Sequence, residues 1–129
     1  MLEEDYCSFE VAKLLKEKGF DEPCIRHWDC DDHSLYGYND IPISNSELQA
    51  NEYNGFSAPS QSMAMKWLRE EHNIFIQIST VLQDQPFGLH YRPSIQDYHA
   101  YARHDNFIEY VTYEEAVEAA LKYSLENLI

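Results

Sequence analysis

The sequence predicts a single α+β domain, residues 1–129, in which an antiparallel sheet of four to five strands packs against three helices. Apolar residues recur at helical spacing in three segments, and the stretches between those segments alternate apolar and polar residues as strands do. Turn-forming residues divide the alternating stretches, which favours antiparallel hairpins. The predicted order is therefore α-β-β-α-β-β-(β)-α, a two-layer α+β arrangement, and the chain length suits one domain.

The first helix is predicted from about Ser8 to Lys18. Ser8 is a residue type preferred as an N-cap, and the apolar residues that follow it form one stripe along the helix. Gly19 can take the left-handed conformation that commonly ends a helix. Phe20 is therefore expected to fold back onto Leu15 in a Schellman motif.

A β-hairpin is predicted next. Its strands, residues 24–28 and 35–38, alternate β-prone residues on either side of a polar turn at residues 31–34. We therefore expect these two strands to be neighbours in the sheet.

The stretch from Ile41 to Pro59 is predicted to be an irregular loop. Prolines, serine-asparagine steps and an asparagine-glycine step punctuate it. The spacing of Ser44 and Glu47 is that of a capping box, which predicts a single helical turn within the loop. A loop of this length is more often functional than a short one.

The second half of the chain is predicted to hold a helix, a hairpin and a further strand, at residues 60–72, 73–82 with 89–95, and 98–111. Isoleucines alternate along the first hairpin strand, and Asp84-Gln85-Pro86 is expected to break it. The polar run at residues 103–106 is expected to be a turn that interrupts the last strand.

The last helix is predicted from Thr112 to Leu128. Thr112 and Glu115 have the spacing of a capping box. The apolar residues that follow recur at the i, i+3, i+4, i+7 positions of one helix face. Those expected to anchor the core are Val117, Leu121, Leu125 and Leu128.

The chain is strongly acidic. It contains 9 lysine and arginine residues against 23 aspartate and glutamate residues, a net charge of −14, and no lysine or arginine lies between Arg26 and Lys66. Because this charge repels phosphate backbones and anionic lipid surfaces, we expect neither direct nucleic-acid binding nor a membrane partner. The same charge favours a basic protein partner, and the sequence leaves a homodimer open.

The sequence also bears on location. Met1-Leu2 is followed directly by acidic residues, so no cationic and apolar leader is expected, and no apolar run approaches the roughly 18 residues of a membrane span. The three cysteines, Cys7, Cys24 and Cys30, are too few and odd in number for a disulfide scaffold. We therefore expect a cytoplasmic protein with reduced thiols.

Three segments carry a resemblance: FEVAKLLKEKGF at Phe9–Phe20, MAMKWLRE at Met63–Glu70 and the helix from Thr112 to Leu128. With the Ala58-Pro59 step they cover a little under a third of the chain, and they resemble a group of small uncharacterised proteins carried by gut-bacterial genomes and their phages or prophages. The resemblance implies a mobile-element origin and an intracellular life. It implies no catalytic residue, because no activity is assigned to that group.

Four side chains at three-residue intervals are the best candidates for metal ligands: Cys24, His27, Cys30 and His33. Two thiolates and two imidazoles are a ligand set that suits tetrahedral Zn²⁺. On an extended strand, however, residues three apart point to opposite faces. We therefore interpret the set as a buried cysteine, a half-exposed histidine and a turn histidine, and expect no metal.

A second cluster, His90, His99 and His104, lies among tyrosines and could supply a general acid or base, with Asp97, Asp105 or Glu109 as orienting partners. Nothing in the sequence fixes their mutual geometry. Nucleophile-elbow, phosphate-loop and dinucleotide motifs are absent. We therefore expect a protein that is not an enzyme, with no catalytic residue and no cofactor.

The leading hypothesis is a non-catalytic, acidic protein-binding domain of phage or prophage origin, an inhibitor or DNA mimic that acts on a basic host-protein surface. Its expected partner-binding residues are Asp31, Asp32, Tyr36, Tyr38 and Glu47. Aromatic side chains can anchor a contact, and carboxylates can steer a cationic partner towards it. Two alternatives stay open: a small enzyme that uses the His/Tyr/Asp surface, and a Cys/His metal-binding module.

Overall fold

A computed structural model describes residue 2, residues 4–84 and residues 87–129. The chain divides into two compact units, Met1–Ala64 and Met65–Ile129. The helices are α1 (Phe9–Glu17), α2 (Asn45–Ala50), α3 (Gln61–His72) and α4 (Tyr113–Asn127). The strands are β1 (His27–Asp29), β2 (Leu35–Tyr36), β3 (Gly55–Ser57), β4 (Ile74–Asp84), β5 (Phe87–Asp97) and β6 (Ala102–His104).

The α+β class is confirmed, but the single sheet of four to five strands with three helices is wrong. The described residues form four helices and two three-stranded antiparallel sheets, in the orders β2-β1-β3 and β4-β5-β6. The cause lies in the stretch from Ile41 to Pro59, which is not an irregular loop. It contributes α2 and also β3, which pairs with β1 and gives the first hairpin a third strand within its own half of the chain.

The first helix follows the sequence prediction closely. The hydroxyl of Ser8 accepts a hydrogen bond from the amide of Val11. At the other end Gly19 has a φ of 95°, and the amides of Gly19 and Phe20 donate to the carbonyls of Lys16 and Leu15 at 3.1 and 2.9 Å. These two bonds are those of a Schellman motif. The helix packs against β3 and buries its apolar stripe.

The first hairpin is shorter than predicted. Its paired residues are His27 with Tyr36 and Trp28 with Leu35. Cys24, which was predicted to begin the first strand, instead exchanges backbone hydrogen bonds with Ile43.

The second unit is built on the long hairpin of β4 and β5. The two strands pair along their whole length, with Ile76 opposite Ile95. The break predicted at Asp84-Gln85-Pro86 falls partly on residues 85 and 86, which lie outside the described residues, while Asp84 still belongs to β4.

The last part of this sheet differs from the prediction. The turn lies at residues 98–101, where the buried carboxylate of Asp97 accepts hydrogen bonds from the amides of His99 and Ala100. Arg103 and His104, predicted as a turn, belong to β6. The capped turn comes earlier because Asp97 satisfies two backbone donors at the end of β5.

The final helix covers one face of this hairpin. The Thr112 hydroxyl accepts a hydrogen bond from the amide of Glu115, and α4 packs against β4 and β5. Val117, Leu121 and Leu125 are fully buried, as expected of core anchors, whereas Leu128 is half-buried. Within the described residues, no helix combines the length and the apolar character needed to cross a membrane.

Candidate functional site

Three tyrosines of the first unit, Tyr36, Tyr38 and Tyr53, form a group of contacting rings, the tyrosine cluster. The ring centroids lie 5.6 Å apart for Tyr36 and Tyr38, 5.2 Å for Tyr36 and Tyr53, and 5.8 Å for Tyr38 and Tyr53. Two of these pairs meet edge to face, which aromatic quadrupoles favour. Because the rings are in contact with one another, a bound cation would lie on their exposed faces and not between them.

Local structure explains how the three rings meet. Tyr36 ends β2 and Tyr38 follows two residues later, so both side chains point to the same side. Tyr53 arrives from the end of α2, where Glu52 has a φ of 56° and the amide of Tyr53 donates to the carbonyl of Leu48 at 2.9 Å. The turn after α2 therefore aims Tyr53 at the hairpin. Tyr53 was not predicted as a site residue from the sequence, because its position depends on β3 pairing with β1.

The cluster combines buried and exposed parts. Tyr38 and Tyr53 are each 37% exposed, while Tyr36 is half-buried. Beside them His27 is completely buried, with its ring centroid 5.5 Å from that of Tyr36 and its Nε2 3.2 Å from the carbonyl oxygen of Ile43. The cluster thus has a base formed by half-buried Tyr36 and buried His27, and two accessible rings.

The phenol groups of Tyr36 and Tyr38 carry no charge near neutral pH. Hydrogen bonding with the Tyr53 side chain, followed by burial and the negative charge of Asp29, raises the pKa of Tyr38 to about 12. Burial is also the main reason that the pKa of Tyr36 is raised. Tyr36 and Tyr38 therefore offer neutral hydroxyl groups and ring faces, and the negative charge of this surface comes from carboxylates.

The carboxylates of the hairpin turn lie on the surface in defined positions. Asp29 Oδ1 accepts hydrogen bonds from the amides of Asp31 and Asp32 at 2.8 and 3.2 Å. Asp32 Oδ1 accepts from the amide of Ser34, and hydrogen bonding with Ser34 lowers the pKa of Asp32. Asp31 Oδ1 accepts from Asn54 Nδ2 at 3.0 Å, which ties the acidic turn to the segment that carries Tyr53.

The charge around the tyrosine cluster is largely uncompensated. Six carboxylates occur between Arg26 and Lys66: Asp29, Asp31, Asp32, Asp40, Glu47 and Glu52. Within the described part of the chain, Asp40 is the one that forms an ion pair, with Arg26 at 3.0 Å. Asp31 and Asp32 are exposed. Arg26 lies beside this surface, since its Nη1 would stand 2.5 Å from a β-carbon at Gly37, and it pairs with Asp40. A cationic group that approaches Asp31 and Asp32 meets two exposed carboxylates that form no ion pair within the described residues.

Glu47, one of the predicted partner-binding residues, has a structural role. Its Oε1 accepts hydrogen bonds from the amide and the hydroxyl of Ser44 at 3.2 and 3.0 Å, so the capping box predicted at these two residues is confirmed. The helix that it begins has six residues. Of the predicted partner-binding residues, the structure thus joins Tyr36 and Tyr38 in one cluster and holds Glu47 in the cap of α2.

The four cysteine and histidine residues considered as metal ligands have separate environments. The thiol of Cys24 is buried 3.9 Å from the sulfur of Met63, and burial raises its pKa to about 11. His27 is buried, Cys30 is half-buried, and His33 is exposed and stacks on the ring of Phe9 with centroids 3.7 Å apart. Among the described residues, no three histidine, cysteine, aspartate or glutamate side chains gather as a metal site would require.

The three histidines of the second unit are likewise dispersed. His90 is buried with Nδ1 3.3 Å from the carbonyl oxygen of Gly88, His99 is exposed, and His104 has Nδ1 3.3 Å from the hydroxyl of Tyr123. Of the proposed orienting carboxylates, Asp97 caps a turn and Glu109 accepts a hydrogen bond from Arg92. The histidines therefore have different partners and do not form one acid-base group.

Comparisons with protein-family models, with curated proteins and with solved structures find no match to this chain.

Proposed function

We propose that this chain is a non-catalytic protein-binding domain whose tyrosine cluster and acidic hairpin turn bind an arginine- or lysine-rich surface of another protein. The observation that carries the proposal is the position of two half-exposed tyrosine rings in a stretch of 39 residues, 27–65, that contains six carboxylates and no lysine or arginine. Exposed aromatic rings and uncompensated carboxylates both attract cationic side chains, those of arginine and lysine.

The chemistry of recognition follows from this pairing. A guanidinium or ammonium group within about 6 Å of a tyrosine centroid gains roughly 0.5–1 kcal/mol at an exposed site, and more when water is excluded. The hydroxyls of Tyr38 and Tyr53 can add hydrogen bonds. Asp31 and Asp32 then provide charge at the edge of the contact, where it acts mainly on the rate of association.

Two observations restrict the class of partner: the net charge of this chain, and its resemblance to proteins of gut bacteria and their phages. A surface evolved to bind nucleic acid is basic, and a chain with a net charge of −14 is suited to occupy such a surface. The resemblance to proteins of gut bacteria and their phages or prophages supports a role on a host protein. We therefore propose an inhibitor or DNA mimic of mobile-element origin.

The test compares three forms of the chain in affinity capture from a bacterial lysate, followed by mass spectrometry. Tyr38→Ala removes an accessible ring of the cluster, and Tyr101→Ala removes a tyrosine that is 95% exposed in the second unit. We expect a basic protein to be retained by the unaltered chain and by Tyr101→Ala and to be lost with Tyr38→Ala. The recovered protein is then produced in pure form, and its direct binding is measured with the same three chains.

Two results would contradict the proposal. One is a purified partner that binds the unaltered chain and Tyr38→Ala equally well. The other is a partner with an acidic or uncharged contact surface, because the carboxylates would then have no complementary charge to meet.

A further inference from the structure

Strand β4 forms one edge of the second sheet over its full length of 11 residues. In the sheet order β4-β5-β6 of the described residues, it has a neighbouring strand on one side only. Between Glu71 and Asp84 the sequence contains no lysine, arginine, aspartate, glutamate, proline or glycine, and the register of β4 with β5 runs without a bulge. Natural proteins usually interrupt an exposed strand edge with such residues or with a bulge, because a free edge can pair with another strand. The β4 edge has none of these interruptions.

The hydrogen bonds of β5 show which backbone groups of β4 point to the free edge. In an antiparallel pair the N–H and C=O of one residue point to the same side of the strand, and successive residues alternate. Both groups of Tyr91 are bonded to Tyr110, at 2.8 and 2.7 Å, so they point away from β4. Thr80 stands opposite Tyr91 and therefore points its own N–H and C=O to the free edge. By alternation, four further residues of β4 do the same: Ile74, Ile76, Ile78 and Leu82.

Two other contacts agree with this alternation. The amide of Tyr98 donates to the carbonyl of Asn73 at 3.0 Å, so this odd-numbered residue points its carbonyl to the β5 side. Pro93 has no N–H, and it stands opposite Ile78, where the alternation places no bond between β4 and β5. Within the described residues, no backbone hydrogen bond reaches the five outward-facing residues from the free side of β4.

The opposite edge of the sheet is protected in the ways that the β4 edge is not. Strand β6 has three residues and carries the exposed side chain of Arg103. Beyond the end of β6, Pro93 lacks a donor, and both backbone groups of Tyr91 are bonded to Tyr110. Short edge strands, charged side chains and prolines all discourage pairing between edges. Of the two edges, β4 is therefore the one suited to pair with a further strand.

We propose that β4 pairs antiparallel with β4 of a second copy of this chain, which joins two three-stranded sheets into one sheet of six strands. An uncharged strand can approach its own copy closely, although each chain carries a net charge of −14. A two-fold axis at Ile78, the middle of the five outward-facing residues, places all five in the new ladder. The assembly stops at two copies, because the edges that remain are the protected β6 edges of both.

The same register brings apolar side chains together between the two copies. Leu82 is 70% exposed in the single chain, and it lies opposite Ile74 of the second copy. Phe75, which is 41% exposed, lies opposite Val81 of the second copy. Such cross-strand pairs stabilise a sheet in addition to its backbone hydrogen bonds. The pairing does not depend on the protein-binding function proposed above, because no residue of the tyrosine cluster belongs to β4.

Sedimentation equilibrium of the full chain over a concentration series measures its oligomeric state. We expect a monomer–dimer equilibrium with a dissociation constant of about 100 μM or below, and no species larger than two copies. A chain that stays monomeric up to about 1 mM would overturn the proposal and leave the edge to an extended segment of another protein. Growth beyond two copies would also overturn it, because the proposed pairing is closed.

Lysines on the edge strand test whether β4 is the interface. Gln77 and Ser79 are exposed, and the proposed register places Gln77 of one copy opposite Ser79 of the other. The double variant Gln77→Lys with Ser79→Lys therefore sets like charges against each other and should weaken the dimer about tenfold or more. The control, His99→Lys with Asn106→Lys, adds the same charge at exposed positions outside β4 and should leave the dimer unchanged. Equal dissociation constants for the two double variants would show that β4 is not the interface.

Amide hydrogen exchange, followed by NMR where the dimer predominates, identifies the bonded groups directly. The outward amides of Ile78 and Thr80 should exchange slowly in the unaltered chain, as do the inward amides of Phe75 and Val81, which face β5. In the variant with edge lysines, the outward amides should exchange about tenfold faster or more, while the inward amides stay slow and show that the sheet is intact. If that variant does not fold, the unaltered chain still decides. Fast exchange of its outward amides in a dimeric sample would place the interface elsewhere.

Discussion

The hydroxyl oxygen of Tyr36 lies against Gly55, so closely that a β-carbon at position 55 would stand 2.8 Å from it. The same β-carbon would stand 2.6 Å from the carbonyl oxygen of Trp28. Gly55 belongs to β3 and pairs with Asp29 of β1. The absence of a side chain at position 55 of β3 is therefore what allows Tyr36 to pack over the sheet and to form the half-buried part of the tyrosine cluster.

We expect Gly55→Ala to lower the free energy of unfolding by about 2–3 kcal/mol, because the added methyl group meets a backbone oxygen that cannot turn away. The control is Gly19→Ala, where nothing lies within 4 Å and the cost of about 1 kcal/mol comes from a φ of 95° alone. Denaturant unfolding measures both. The near-ultraviolet circular dichroism of the tyrosines should change in Gly55→Ala and not in Gly19→Ala. Identical spectra in the two variants would show that Gly55 does not position Tyr36.

Leu121 is expected to be a principal anchor of the second unit. It is fully buried on α4, which packs against β4 and β5. Leu121→Ala should lower the free energy of unfolding by about 2–5 kcal/mol, the sum of lost burial and a cavity. Leu128→Ala makes the same chemical change at a half-buried position and should cost clearly less. Equal denaturant midpoints for the two variants would place α4 at the periphery.

The sequence predicts best where the structure depends on neighbouring residues. The N-cap Ser8, the left-handed Gly19 and the return of Phe20 form a self-contained signal, and so does the pair Ser44 and Glu47. In these elements the bonded groups are only a few residues apart. Particular residue types at the helix ends satisfy the hydrogen bonds of the free backbone groups.

Pairing between distant segments is what the sequence does not reveal. Strand β3 has three residues, too few for a recognisable alternation, and it is defined by its register with β1. Tyr36 and Tyr38 could be grouped from their two-residue spacing. Tyr53 joins them only because β3 brings the end of α2 back to the hairpin, so the third member of the cluster could not be predicted.

The stability of the protein should depend on the protonation of His27. His27 is fully buried, and its Nδ1 has no hydrogen-bond partner in the described part of the chain. Burial, with a smaller contribution from the charge of Arg26, lowers the pKa of His27. The unfolded chain takes up this proton near pH 6.5, at about the ordinary histidine pKa, whereas the folded chain takes it up only at lower pH. The contribution of neutral His27 to the free energy of unfolding is therefore complete above about pH 6.5. It is lost as the pH falls towards the pKa of His27 in the folded chain.

Denaturant midpoints at about pH 7.5 and about pH 5.5 measure this dependence, because ordinary carboxylates remain ionised over most of that window. The unaltered chain should be less stable at the lower pH. His27→Gln lacks the titrating group and should show a smaller difference between the two conditions. His99→Gln, at an exposed position, should keep the full difference. A pH dependence unchanged in His27→Gln would assign it to another group.

Metal removal is expected to leave the fold intact. Cys24, His27, Cys30 and His33 have separate environments, and a structural zinc site would supply a large share of the folding free energy. Treatment with EDTA should therefore not change the thermal midpoint, and protein purified without added metal should contain no stoichiometric zinc. A drop of many degrees on chelation would restore the Cys/His module as the better hypothesis.

Association with the proposed basic partner should be fast at low salt and slow down as the ionic strength rises. Charges beyond the Debye length, about 8 Å at physiological salt, are largely screened, so only carboxylates close to the contact keep their effect. Replacing Asp31 and Asp32 by asparagine should lower the association rate constant more than it raises the dissociation rate constant. The control is the replacement of Glu70 and Glu71 by glutamine, which removes the same charge from exposed positions of α3.

Tyr38→Ala should act mainly on the dissociation rate constant. A ring that becomes desolvated in the complex contributes mainly after the encounter, so its removal speeds dissociation and leaves association nearly unchanged. Surface-based kinetics with the purified partner across a salt series separates the two effects. If both pairs of charge substitutions slow association equally, steering comes from the net charge of the whole chain and not from the hairpin turn. If neither pair of charge substitutions slows association and salt has no effect, the acidic surface serves solubility. A dissociation rate constant that is unchanged in Tyr38→Ala would show that the tyrosine cluster is not part of the interface.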